Sequence, residues 1–416
     1  MSQQPVALDD RAASVPVVPR RLLPGMAIFS VVVSGGYAAL GGVLLPNQLA
    51  DIDAANKVAN VTLVSSLAFV AAMIVQPLVG ALSDRTRGVL GRRGPWLILG
   101  GLISGVALSV QGHLTSLGAV LVGWIVVTIG LNTVLAPFSA VLPDRVPAER
   151  RGRASAATGF GVMVGIALST VVAGRLASTL PLAFTVFGLA VAIAAGGFAL
   201  ITRRHETGSR EPLSLRAGLR GLWVSPRRHP DFAWAFTARF LFVLGYFAIY
   251  TFQLYLLTDY LRMSRDAANA GIGVLNILLV LGAIVAVVGG GLWSDRVQRR
   301  KPFLYAASVA MGIGMLVPLL VPSFLGMSVM SALLGVGFGL YQSVDTALMS
   351  QVLPDAGKAG KDLGVLNLAN AVPQAVAPVV GGGLVQLTGG YPAVFVAGIV
   401  TVILAGLALR GIRRVA

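Results

Sequence analysis

Apolar runs of roughly 20 residues recur along the whole chain, and they come in two sets that share one register. Gly80-Ala81-Leu82-Ser83-Asp84-Arg85 returns as Gly291-Leu292-Trp293-Ser294-Asp295-Arg296. Val141-Leu142-Pro143-Asp144 returns as Val352-Leu353-Pro354-Asp355. Both shifts are 211 residues, so the two aspartates of each set stand 60 apart. Two phrases in one register mark a duplicated unit. Each phrase closes an apolar run long enough to cross ~30 Å of hydrocarbon. The unit is therefore a bundle of membrane helices, and its parallel duplication is the ground plan of a protein that rocks one half against the other.

Twelve helices are expected, near 22–46, 59–83, 95–112, 116–140, 154–178 and 181–201, then 232–257, 269–294, 302–321, 324–351, 363–387 and 392–410. The fold class is all-α membrane protein, with two six-helix bundles at 22–201 and 232–410. Residues 1–21 and 411–416 read as cytosolic tails. Asp9, Asp10 and the prolines of the first tail are unlike a signal peptide. Residues 202–231 join the halves. Leu215, Leu219 and Leu222 share one helical face there and Arg216 and Arg220 another, as in a helix lying flat on a membrane surface.

A net charge of +16 raises the question of nucleic acid, and its distribution answers it. On this topology 27 of the 32 Lys and Arg fall in the tails and loops of one side. Lys57, Arg175, Arg262 and Arg265 lie near the other side, and Arg239 lies inside a helix. This is the positive-inside bias. It predicts a multi-pass protein of the plasma (inner) membrane with both termini cytoplasmic, a lipid bilayer as partner, and no nucleic acid. Trp96, Trp223, Trp234 and Trp293 map to the same interface, where indole is favoured. Cysteine is absent, which rules out thiol catalysis and Cys-ligated metal. His113, His205 and His229 lack metal-ligand spacing. No phosphate-binding loop is present, since Gly357-Lys358-Ala359-Gly360-Lys361 lacks both frame and hydroxyl. Neither a metal, a cofactor nor an enzymatic site is expected.

The loop after helix 2 reads Asp84-Arg85-Thr86-Arg87-Gly88-Val89-Leu90-Gly91-Arg92-Arg93-Gly94-Pro95-Trp96, and its counterpart Asp295-Arg296-Val297-Gln298-Arg299-Arg300-Lys301-Pro302. This resembles the signature loop of the major facilitator superfamily. Asp-Arg-Thr followed by Gly-Arg-Arg-x-Pro-Trp resembles most the glycoside–pentoside–hexuronide cation symporters and the sucrose transporters. An aspartate at a helix C-terminus opposes the macrodipole. It becomes favourable opposite the N-terminus of another helix. The resemblance implies that Asp84 faces the start of helix 11 and Asp295 the start of helix 5. Asp84, Arg85, Arg92 and Arg93 with Asp295, Arg296, Arg300 and Lys301 would then latch the cytoplasmic side when it closes. Asp144 and Asp355 add to the same layer.

Arg239 and Asp345 are the two strongly charged residues clearly inside helices. Each costs about 2.5–3.5 kcal/mol at a helix centre if left alone. Both lie about eight residues from the cytoplasmic ends of helices 7 and 10, depths that match at ~1.5 Å per residue. The resemblance places both helices on a central cavity, and an ion pair is expected. It serves either to neutralise charge or as a proton switch. Tyr246, Tyr250 and Gln253 share the Arg239 stripe, and Asn367, Asn370 and Gln374 fall on one face of helix 11. Tyr37, Trp124, Asn132, Tyr250, Gln253 and Tyr341 are the cavity candidates, with amides, hydroxyls and rings that suit sugar hydroxyls. Hydrogen bonding between helices is the competing role for each. The acidic residues with which the resembled symporters bind sodium in helices 2 and 4 are missing. Proton coupling or uniport is favoured. The expected activity is alternating-access import of a sugar or glycoside with protons by a functional monomer. A proton antiporter exporting drugs or metabolites is the alternative, and a receptor without transport stays open.

Overall fold

The computed structural model describes residues 21–203, 229–297, 300–352 and 359–412. Most of the tails and nearly all of the expected surface helix at 202–231, Trp223 included, lie outside the described residues. Twelve helices there are long and apolar enough to cross a membrane. They are α1 (Leu22–Ile52), α2 (Lys57–Arg85), α3 (Gly94–Gln111), α4 (Leu117–Arg145), α5 (Ala148–Leu176) and α6 (Leu180–Ile201). The second set is α7 (Pro230–Tyr250), α8 (Arg265–Val297), α9 (Lys301–Leu320), α10 (Phe324–Val352), α11 (Ala359–Thr388) and α12 (Pro392–Ala408).

In hydrocarbon a backbone must satisfy its own hydrogen bonds, which makes each apolar run a helix. Proline punctuates the starts. Pro95, Pro181, Pro230, Pro302 and Pro392 all stand in a first turn, where a missing N–H costs nothing. Ser116 caps α4 by accepting from the Ala119 N–H at 3.4 Å. Several helices overrun the apolar runs at their polar ends: α5 begins at Ala148 rather than 154, and α8 at Arg265 rather than 269.

The two sets are packed alike. In the first, α1 packs on α5 and α6, α3 on α4 and α6, and α2 on α4. In the second, α7 packs on α11 and α12, α9 on α10 and α12, and α8 on α10. Adding six to each helix number turns one set of contacts into the other. The halves meet along α2–α11 and α5–α8, a pair that the same operation exchanges. The symmetry reaches single residues. A side chain at Gly382 on α11 would strike Thr62 on α2, and one at Gly273 on α8 would strike Val171 on α5. Thr62 to Gly273 and Val171 to Gly382 are each the offset of 211 that separates the doubled phrases.

Small residues let these helices touch backbone to backbone. Gly35 on α1 meets the Gly165 backbone on α5, and Gly335 on α10 meets the Leu279 carbonyl on α8. Gly337 and Gly339 are similarly closed in, while a side chain at Gly289 would meet open space. Glycine is thus a packing residue on α10, where helices close in on it, and not at Gly289. Both symmetry-related helices α1 and α7 are irregular towards the end remote from the termini. A π turn spans Leu40–Leu44 in α1. After Tyr250, α7 breaks at Thr251–Phe252, resumes at Gln253–Tyr255 and ends in a π turn, Leu256–Tyr260. Such wide turns concentrate at functional sites.

Candidate functional site

Polar residues gather at three depths along the helices. The middle one is the interior of the membrane span. Arg239 Nη1 on α7 stands 3.3 Å from Asp345 Oδ2 on α10, and Asp345 is 1% exposed. Phe242, one turn beyond Arg239, stacks on Tyr341 with centroids 4.1 Å apart. That clamp fixes the Tyr341 ring one helical turn from Asp345. Three buried atoms here have no hydrogen-bond partner: Arg239 Nε, Asp345 Oδ1 and Tyr341 Oη. A buried pair repays its desolvation only when its remaining hydrogen-bonding capacity is met. This pair leaves Asp345 Oδ1 and Arg239 Nε without a well-formed hydrogen bond, with the Tyr341 hydroxyl beside the carboxylate.

Aromatic rings continue upward from the pair. Tyr246 stacks on Phe338 at 4.9 Å and on Tyr250 at 5.5 Å. Phe247 meets Phe69 of α2 edge-on at 6.3 Å, across the halves. The Tyr250 hydroxyl faces Gly42 in the π turn of α1. Tyr37 lies against Asn132, whose amide donates to the Thr128 carbonyl at 2.9 Å. Trp124 is buried in the apolar core, at 6% exposure. The break in α7 turns Gln253 towards Asn276 of α8, whose amide is 3.4 Å from Gln253 Oε1. Tyr37 and Tyr250 are half-buried, while Trp124, Asn132, Gln253 and Tyr341 are buried. The Gln48 amide on α1 donates to the Gln111 and Leu114 carbonyls at 2.6 and 3.1 Å, a structural role.

At the end of the helices that bears Arg21 and Ile412, Gly91 has φ of 73° and turns the α2–α3 loop back on itself. Arg93 then pairs with Asp84 at 2.6 Å and donates to Asp144 from Nε and Nη2 at 3.1 and 3.0 Å. It also donates to Ser83. Arg92 pairs with Asp144 at 2.6 Å. Arg85 donates to the Ala81 carbonyl of its own helix. These contacts tie α2, the loop and α4 within the first half. In the second half Lys301 donates to the Ile412 carbonyl at 2.5 Å, and Arg296 is exposed. Arg300 is half-buried and engaged. The Asp295 side chain, Asp355, Lys358 and the Lys361 and Asn367 side chains lie outside the described residues. Trp96 donates to Thr86 at 2.7 Å, and Trp293 is exposed.

The opposite end is where charge crosses the halves, and sequence reasoning missed it. Arg265 at the start of α8 reaches back to α1, gripping Asp51 with both Nη groups and donating Nε to Asn47 at 2.7 Å. The Asn47 amide donates to Asn269 at 2.7 Å. Tyr255 donates to the Pro46 carbonyl at 2.9 Å. Lys57 at the start of α2 pairs with Asp259 at 2.6 Å, and Tyr391 donates to the same carboxylate at 2.7 Å. Burial, then its bond to Asp259, pushes the Tyr391 phenol well above its usual range. In the α1–α2 loop the Asn56 amide and N–H donate to Asp53 and hold that exposed carboxyl below its usual value. Two charge pairs, Asp51–Arg265 and Lys57–Asp259, cross the halves at this end. The sequence signal was present as basic residues on the sparsely charged side.

The comparisons fit this geometry. The sequence profile of the Major Facilitator Superfamily matches residues 26–290 and 254–415. No curated protein sequence matches the chain. Among solved structures, a mutant of the nucleoside transporter NupG aligns with TM-score 0.76 and 12% identity, over 94% of this chain and 99% of that one. A POT family transporter in complex with a thioalcohol-conjugated peptide gives 0.75 and 13%, over 94% and 96%. A D-xylose–proton symporter gives 0.71 and 15%, over 94% and 97%. With helices paired as in a duplicated bundle and a profile match over nearly its whole length, the chain belongs to the Major Facilitator Superfamily of membrane transporters.

Proposed function

We propose that the protein is a secondary transporter that imports a sugar or glycoside with protons by alternating access. The observation that carries this reading is the Arg239–Asp345 pair with its unmet atoms Arg239 Nε, Asp345 Oδ1 and Tyr341 Oη. A carboxylate buried in hydrocarbon titrates against its partner. Protonated, Asp345 releases Arg239 and loosens α7 from α10. Deprotonated, it draws them together. The charge change at one residue thereby biases a bundle with two arrangements. The neutral amides and half-buried tyrosines of α1, α4 and α7, Tyr37 and Tyr250 foremost, suit a hydroxylated neutral solute.

The face bearing both termini is the cytoplasmic one on this reading, supported by the Lys and Arg asymmetry. The structure is then the state closed outside. Asp51–Arg265 and Lys57–Asp259 hold the outer end shut, and Asp84, Arg92, Arg93 and Asp144 form the charge network of the inner end. The protein acts as a monomer in the plasma membrane.

A pH-sensitive dye trapped in proteoliposomes tests the reading. Adding a panel of monosaccharides and glycosides outside should acidify the lumen with at least one of them. No acidification with any sugar contradicts it. The second reading, a proton antiporter, draws on the aromatic lining of Phe69, Phe247 and Phe338. It is favoured if lipophilic cations, and not sugars, move protons in the opposite direction.

A further inference from the structure

A groove of about 370 Å³ runs along the outer surface of the second half between α9 and α12, away from the interface of the halves. Its walls are Ile313 and Leu316 of α9 and Ile403 and Leu407 of α12. These four side chains are exposed, at 52%, 43%, 53% and 46%, in a stretch of helix that sits within the membrane span. Gly312 and Gly406 form its floor. At the end nearest the chain termini the lining turns polar, with Tyr305, Ser308 and Arg410. Arg410 is exposed and makes no hydrogen bond or ion pair among the described residues. Lys301, its basic neighbour in the fold, is committed to the Ile412 carbonyl.

We propose that this groove binds one phospholipid with an anionic headgroup, its acyl chain between α9 and α12 and its phosphate on Arg410. Length supports the fit. Tyr305 and Leu316 are eleven residues apart on one helix, ~16 Å at 1.5 Å per residue. That is about half of a ~30 Å hydrocarbon core, one leaflet deep. Charge supports it too. An unpaired guanidinium at the polar end of an apolar furrow is a phosphate site, with a fork of donors matched to phosphate oxygens. Basic pockets between membrane helices on that side recognise anionic headgroups in this way. The glycine floor makes the furrow. A side chain at Gly312 or Gly406 would meet its neighbours only at 3.7 and 3.6 Å, so backbone contact does not demand glycine at either position.

The test is native mass spectrometry of the full chain, titrated with phosphatidylglycerol or phosphatidylcholine of identical acyl chains. Wild type should hold one phosphatidylglycerol about fivefold more tightly, the weight of a single interfacial Arg. Arg410→Gln should erase the preference, weakening phosphatidylglycerol binding more than phosphatidylcholine binding, since both lipids bring a phosphate but only the first a net negative headgroup. Gly312→Leu should fill the furrow and lower binding of both lipids, and Gly312→Ala, whose methyl meets only Val402 at 3.7 Å, should keep the fold and lower binding less. The proposal is overturned if Arg410→Gln keeps the preference, or if Gly312→Leu binds both lipids as wild type does. A dimer forming in place of lipid adducts would assign the groove to a second copy of the chain and overturn it as well.

Discussion

Arg265→Ala removes a polar contact that joins the halves through both Asn47 and Asp51. Its two parts carry different weights. The Asp51–Arg265 pair is nearly half-exposed on both sides, at 43% and 46%, so screening limits it to about 0.2–1 kcal/mol. The Nε bond ends on Asn47, which is 2% exposed, and a charge-assisted bond of that kind contributes about 1.5–3 kcal/mol. Together they stabilise the closed outer end by about 2 kcal/mol. At 1.4 kcal/mol per decade, that shifts the balance between closed and open about 30-fold. The chain has no cysteine, so nitroxide labels attach cleanly at introduced sites. Double electron–electron resonance between Ala55→Cys and Ala267→Cys reads the outer end, and between Val89→Cys and Val297→Cys the inner end. Arg265→Ala should add a longer outer distance and shorten the inner one in the same proportion. Distributions that superimpose on the parent at both ends would refute the latch.

Other substitutions separate the remaining parts. Asp259→Asn should open the outer end by the same assay but less than Arg265→Ala, because Tyr391 can still donate to the amide oxygen. Gly335→Val forces a side chain into the Leu279 carbonyl and should lower the thermal midpoint by overpacking, a loss of about 1–3 kcal/mol, whereas Gly289→Ala should not. Arg93→Ala leaves Asp84 and Asp144 without a shared cation. It should lower the thermal midpoint more than Arg296→Ala, since Arg296 is exposed. Asp53 has a depressed folded value, so its contribution is present above the ordinary carboxylate range and lost as pH falls through that depressed value. Asp53→Asn should therefore lower the thermal midpoint at neutral pH, with the difference fading in acid.

Number of spans, duplication and the depth match of Arg239 with Asp345 were legible because each depends on local composition or on spacing along a helix. Helix ends were not. Apolar periodicity stops where hydrocarbon stops, while α5 and α8 continue through Arg150 and Asp266 into the polar interface. The outer latch was illegible for a different reason. Asn47 and Arg265 are 218 residues apart, and neither is unusual beside its sequence neighbours. Asn47 and Gln48 looked alike on helix 1, yet one spans the halves and the other ties α1 to α3. The break at Thr251–Phe252 likewise leaves no strong mark in sequence, though it re-aims Gln253 from the Tyr246 stripe towards α8.

Proton coupling at the buried pair is tested most directly by Asp345→Asn in proteoliposomes carrying a transported sugar. Asparagine keeps the shape and removes the titration. The variant should lose accumulation driven by a pH gradient while sugar counterflow, which needs no net proton movement, continues. Full pH-driven accumulation by Asp345→Asn would contradict a switch at this residue.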